Sequence, residues 1–187
     1  EYSLLPPGPD CALQAQKLCR FLPGRTVMNK QEIYQYLDEN NIPYERTEHK
    51  AVFSMEELKA ISILYPECEA KNLFVRDDKK QNYYLITVKG EKRVDLKAFR
   101  KLYGLRPLSF ADARDLQSYL GLTPGAVTPF GLLNDTQHKV RFYLDADFSG
   151  QRIGVHPNDN AATVWLKVSD LVNLLREHGS IVEIAEL

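Results

Sequence analysis

Three short segments carry residue types that could meet an anion or line a binding cleft. In Lys71-Asn72-Leu73-Phe74-Val75-Arg76, strand alternation puts Lys71, Leu73 and Val75 on one side and Asn72, Phe74 and Arg76 on the other. A lysine opening the apolar side of a strand must carry its ammonium out to solvent or meet an anion. The second segment, Gly121–Gly131, holds three glycines and two prolines. Its conformations are restricted, yet its N–H groups can approach a ligand with no Cβ in the way. It offers no side chain suited to act as acid, base or nucleophile, so its expected role is a binding wall, with a plain connecting loop as the alternative. In the third, Gly154–Thr163, His156 stands at a strand end ahead of Asn158, Asp159 and Asn160. These residues form either an Asx-turn cluster with a capping histidine or a polar group at the mouth of a cleft.

Other chemistries find no support in the residue pattern. His49, His138 and His178 lie in charged or helix-end surroundings and are expected at the surface. No Gly-x-Ser-x-Gly elbow accompanies the serines, and neither a P-loop nor a Gly-x-Gly-x-x-Gly sequence occurs. Metal-ligand spacing is absent, and no metal or organic cofactor is expected. Between Lys89 and Arg106 stand seven basic residues, Lys89, Lys92, Arg93, Lys97, Arg100, Lys101 and Arg106, against Glu91 and Asp95. Such a run is either a solvated face or a track for a phosphate backbone.

These segments must be held by a mixture of hairpins and helices. Asn29 with Glu32 caps a helix carrying Ile33, Tyr36 and Leu37, and Pro43–Glu48 is extended. Ser54-Met55-Glu56-Glu57 reads as a capping box for a second helix that Pro66 stops. Strands Lys71–Arg76 and Tyr83–Val88 flank the polar turn Asp77–Asn82. Helices opened by Asp95 and by Ser109 close at Gly104 and Gly121. Strands follow at Val140–Leu144, Arg152–Val155 and Thr163–Val168, then a helix capped by Ser169 and a terminal strand at Ile181–Ile184. Clustered hairpins favour an α+β fold, a largely antiparallel sheet flanked by helices, over a doubly wound one.

The 187 residues suffice for one domain with its own core, and a formal charge of -1 excludes a globally basic coat. Residues 1–27, broken by Pro6, Pro7 and Pro9, read as an extension, and 28–187 as the folded unit. Three cysteines cannot all pair, no apolar run approaches the roughly 20 residues of a membrane span, and no signal-peptide centre is present. The chain reads as a soluble cytoplasmic protein with no membrane partner.

The order Lys-Asn-Leu-Phe, then Gly125 to Pro129, then His-Pro-x-Asp-Asn-x-x-Thr (His156 to Thr163) resembles the bacterial prolyl-tRNA synthetase editing-domain superfamily. That superfamily includes the synthetase insertion domain and the YbaK-type deacylases. Lys71-Asn72 and Thr-Pro-Gly-Ala-Val-Thr-Pro-Phe-Gly are most similar to its free-standing alanine-specific branch (ProXp-ala). The resemblance implies a mixed α/β fold around a largely antiparallel sheet and hydrolysis, in trans, of alanine misattached to proline tRNA. It implies catalytic roles for Lys71, Asn72 and His156 and substrate binding by Gly125, Ala126, Val127, Thr128, Pro129 and Asn160. Lys89, Lys92, Arg93, Arg100 and Lys101 are the expected tRNA contacts. The implied partners are the acceptor end of mischarged proline tRNA and, transiently, prolyl-tRNA synthetase or an elongation factor. By adjacency, Leu73, Val127 and Thr128 are expected to line the pocket. Cysteine clearance from proline tRNA, a non-catalytic tRNA-binding module and an unrelated small-molecule binder are the alternatives.

Overall fold

Side-chain caps set the helix starts. Asn29 accepts from the N–H groups of Gln31 and Glu32, while the Glu32 carboxylate accepts from the Asn29 N–H at 2.9 Å, a reciprocal box that satisfies orphan donors. It opens α1 (Lys30–Glu39). Asp95 caps α2 (Leu96–Leu102) by accepting from the Lys97 and Ala98 N–H groups, without a reciprocal bond. The computed structural model describes residues 27–49 and 64–187. The helix expected from Ser54 and most of the N-terminal extension lie outside the described residues, and Pro66 opens a 3-10 turn at Pro66–Cys68.

Two expected caps are corrected. The helix α3 (Ala113–Leu120) is capped by Asp112, not Ser109. Ser109 instead lies in β4 (Leu108–Phe110), paired with Arg76. The helix α4 (Val168–Glu177) starts directly from a strand at Lys167 with no side-chain cap, and Ser169 sits inside its first turn.

The remaining strands are β1 (Tyr44–Glu48), β2 (Ala70–Asp77), β3 (Tyr83–Lys89), β5 (Val140–Asp145), β6 (Arg152–Val155), β7 (Ala162–Lys167) and β8 (Val182–Ala185). One sheet runs β1-β7-β6 and the other β4-β2-β3-β5-β8. Four of the strand pairings are antiparallel, whereas β3–β5 and β5–β8 are parallel. The fold is thus mixed α+β. The β2–β3 turn is built on buried Asp77, whose carboxylate accepts from the Lys79 and Gln81 N–H groups and the Asn82 amide.

Alternation along β2 divides the interior. Ala70 and Phe74 pack in the larger core with α1, α3 and α4, while Leu73 and Val75 join Tyr84, Ile86, Val88, Phe99 and Tyr143 beneath α2. Met28 is buried in the larger core, its N–H bonded to Asn134 and its carbonyl to Asn158. Among the described residues, no helix is long and apolar enough to cross a membrane.

Candidate active site

The two sheets touch at one point on β2. Glu69, just ahead of that strand, forms a parallel bridge with Gly154 of β6. Further along the same edge, β4 pairs with Val75, Arg76 and Asp77, and the Ala111 N–H reaches the Phe74 carbonyl. Between these contacts, at Ala70–Leu73, no strand covers that edge among the described residues. This uncovered stretch of β2 carries Lys71 and Asn72, whose side chains alternate to opposite faces of the sheet. Two residues past the bridge on its two segments come Lys71 and His156.

The Gly/Pro loop is pinned from two sides, by β2 and by the chain at the end of β6. Thr123–Ala126 is a turn closed by the Ala126 N–H on the Thr123 carbonyl at 3.0 Å. Pro124 and Gly125 occupy its centre, and Gly125 has φ +90°, the left-handed value that position of a type II turn requires. Past the turn, Asn72 Nδ2 donates to the Val127 carbonyl at 3.0 Å, and Asn72 Oδ1 accepts from Thr87 Oγ1 at 2.6 Å. The next residue, Thr128, is fully buried and donates its hydroxyl to the His156 carbonyl at 2.7 Å. Pro129 then starts the 3-10 helix Pro129–Asn134, which is sunk in the core. Both ends of the Asn72 amide are therefore engaged, the nitrogen with the loop and the oxygen with Thr87 of β3.

His156 is placed and tautomerically defined by its surroundings. Its Nδ1 lies 2.9 Å from the Ala162 carbonyl, and because a carbonyl only accepts, Nδ1 carries the proton. In the neutral ring Nε2 is then the acceptor. Burial holds the pKa below the ordinary histidine value, with His49 adding to the effect and the Ala162 carbonyl opposing it. His49 is not the surface residue expected. Its Nε2 is 3.0 Å from Thr163 Oγ1, its N–H bonds the Ala161 carbonyl, and its ring stands edge-on to His156 at 6.3 Å. Asn160 is half-buried in the intervening turn, which Asp159 ties by accepting from the Ala161 N–H at 2.7 Å. Asn158, at φ +59°, is turned toward Met28.

Lys71 is half-buried, opposite Val88 in the β2–β3 ladder. Among the described residues its ammonium meets no carboxylate at ion-pair distance. Leu73, expected beside Val127, instead packs under α2. Among the described residues no group of three or more His, Cys, Asp or Glu side chains could hold a metal ion.

The basic run does not form one surface. Lys92 is clasped by Asp145 at 2.8 Å and Asp147 at 2.7 Å, and Arg106 makes a bidentate pair with Asp78. Lys89 instead donates to Gln151 Oε1 at 2.9 Å. Arg93, Lys97, Arg100 and Lys101 follow on and before α2, with Arg100 and Lys101 in its last turn. Sequence patterning brought out Asn72, the loop, His156 and Thr163, and missed Thr87 and the role of His49. The cue for Thr87 was available, since it falls opposite Asn72 in the predicted hairpin.

Comparison with known proteins agrees with this geometry. A family model described as aminoacyl-tRNA editing domain matches residues 49–174. The chain is 40% identical over 159 residues to the prolyl-tRNA editing protein ProX of Acetoanaerobium sticklandii, covering 84% of this chain and 97% of that one. It is 33% identical over 155 residues to prolyl-tRNA synthetase associated domain-containing protein 1 of Xenopus laevis, covering 80% and 92%. A solved structure of a candidate trans-editing enzyme for prolyl tRNA synthetase shares the fold, with a TM-score of 0.62 at 21% identity over 87% of this chain and 98% of that one. The matched residues include β2, the pinned loop, His49 and His156, and the chain belongs to the aminoacyl-tRNA editing domain family.

Proposed function

We propose that this protein is a trans-acting deacylase that hydrolyses alanine from mischarged proline tRNA. The observation that carries this reading is the doubly pinned loop: Val127 held by Asn72 and Thr128 holding His156. A loop fixed at both ends keeps a constant shape, and a filter of constant shape suits rejection by size. The pyrrolidine ring of proline is excluded by overlap, whereas a missing methyl costs a smaller substrate only about 1–3 kcal/mol. Discrimination is accordingly strong against proline and weaker against glycine and serine.

The reaction needs an activated water, a stabilised oxyanion and a held terminal adenosine. Water oxygen bonds to the ester carbonyl carbon, the carbonyl electrons move onto oxygen, and the tetrahedral species collapses with cleavage of the bond to the ribose oxygen. That oxygen regains a proton and alanine leaves as its carboxylate. The Lys71 ammonium stabilises the developing oxyanion or the terminal phosphate. Asn72 is a positioning residue that acts through the loop. Neutral His156, with Nε2 as acceptor, orients a substrate N–H or O–H, and the ribose hydroxyl next to the ester positions the water. Gly125, Ala126 and Pro129 shape the wall, and Asn160 lies in the turn behind it.

The test is hydrolysis of Ala-, Cys- and Pro-charged proline tRNA by one preparation. Cleavage of the alanyl ester with the prolyl ester spared supports the proposal. Preferential cleavage of the cysteinyl ester assigns the YbaK-type activity instead, and no cleavage of any ester leaves a non-catalytic tRNA-binding module. A terminal ribose lacking the free hydroxyl should stop hydrolysis without stopping binding; unaltered turnover would reject substrate assistance.

A further inference from the structure

We propose a second site, for a backbone phosphate of the tRNA acceptor strand, at the open end of the β6–β7 hairpin. This inference rests on the editing reading for the identity of the nucleic acid. At the end of the hairpin away from His156, Arg152 and Lys167 face each other across the ladder. With Gly150, Gln151 and Ser169 they line a cavity of about 260 Å³, and none of these five residues is acidic. Lys89 arrives from β3, its ammonium bonded to Gln151 and 5.7 Å from the Phe148 ring centroid. Three cations thus surround one glutamine.

Three carboxylates lie nearby, and Asp170 accepts from the Ser169 hydroxyl at 3.4 Å, which leaves the two lysines, Arg152 and the Gln151 amide as the donors facing a ligand. Glu45 pairs with Arg152 and accepts from the Tyr65 hydroxyl, and the Tyr65 ring lies 4.8 Å from the guanidinium carbon. Asp147 is taken by Lys92. Glu45 and Tyr65 therefore hold Arg152 in place at the rim of the cavity. Ammonium, guanidinium and amide groups are donors that phosphate oxygens accept. In a chain whose formal charge is -1, this cluster supplies local attraction that the whole molecule lacks.

Its placement suits a strand whose 3′ end approaches His156. At about 3.3 Å per residue, His156, just past β6, lies about 13 Å from Arg152, within reach of a few nucleotides of one strand. One hairpin thus joins the candidate active site, at its turn, to the cation cluster at its base.

The test is the salt dependence of proline tRNA binding to the full chain. The variants are Lys167→Gln, Lys89→Gln and their combination, with Lys139→Gln as a distant control and circular dichroism to verify folding. The combined substitution should flatten the slope of log K against log salt by about 0.7–0.9, the share of one phosphate, each single substitution by part of that, and the control not at all. Slopes equal to wild type, in a protein that still deacylates charged tRNA, would overturn this site and leave the editing reading intact. A wild-type protein that neither binds nor deacylates charged tRNA would overturn both.

Discussion

Asn72 and Val127, 55 residues apart, are joined side chain to main chain at 3.0 Å. The bond turns a sheet residue into the anchor of a surface loop, with Thr87 behind it to orient the amide. Asn72→Ala leaves both the Val127 carbonyl and the Thr87 hydroxyl without this partner. Stability should fall by about 1–3 kcal/mol in denaturant melts, and deacylation should fall by more than the folded fraction explains. Equal losses in stability and turnover would reduce Asn72 to a packing role.

Thr128 makes the second anchor from a fully buried position. Thr128→Val removes the donor and strands the His156 carbonyl, so a loss of about 1–3 kcal/mol is expected. Thr128→Ser keeps the hydroxyl and should retain most turnover. Parallel melts and deacylation rates for the two variants check this.

Gly125 has φ +90° with its turn closed by the next N–H. Gly125→Ala forces an L side chain into that region, at a cost of about 1–2 kcal/mol. The loop should relax, and discrimination between alanyl and prolyl esters should narrow. A ratio identical to wild type would show that the turn does not set the filter.

Burial depresses the pKa of His156, and likewise of His178, where the neighbouring His138 adds to the effect. The unfolded chain takes up these protons near the ordinary value of about 6.5, while the folded chain resists them. The resulting stability is complete above that pH and is lost as pH falls toward the depressed folded values. Thermal midpoints should therefore drop between pH 7.5 and 5.5, above the ordinary carboxylate range. The double variant His156→Gln/His178→Gln should show a shallower drop over that interval. An undiminished drop would assign it to other groups.

Local chemistry made much of the fold legible. The Asn29 box, the Asp95 cap and the hairpin around Asp77 each depend on residues within a few positions of one another. Ser109 was misread because its backbone is drawn into pairing with Arg76, and Asp112 then takes the cap. Ser169 was misread because β7 passes straight into α4. The site was legible where side chains alternate along β2 and where glycine and proline restrict the loop. It was illegible where partners are remote: His49 finds Thr163 114 residues away, and Lys92 finds Asp147 55 residues away. No local pattern encodes such meetings, so a half-buried, bonded histidine looked exposed and a paired lysine looked free.

The central claim is that the Lys71 ammonium, on the stretch of β2 that neither β6 nor β4 covers, stabilises charge as the ester is hydrolysed. Its most direct test is the single-turnover rate of alanyl ester cleavage from proline tRNA by Lys71→Met, with folding verified by circular dichroism. The account predicts a fall of about 100-fold or more with tRNA still bound. A folded Lys71→Met protein that turns over at the wild-type rate would contradict it.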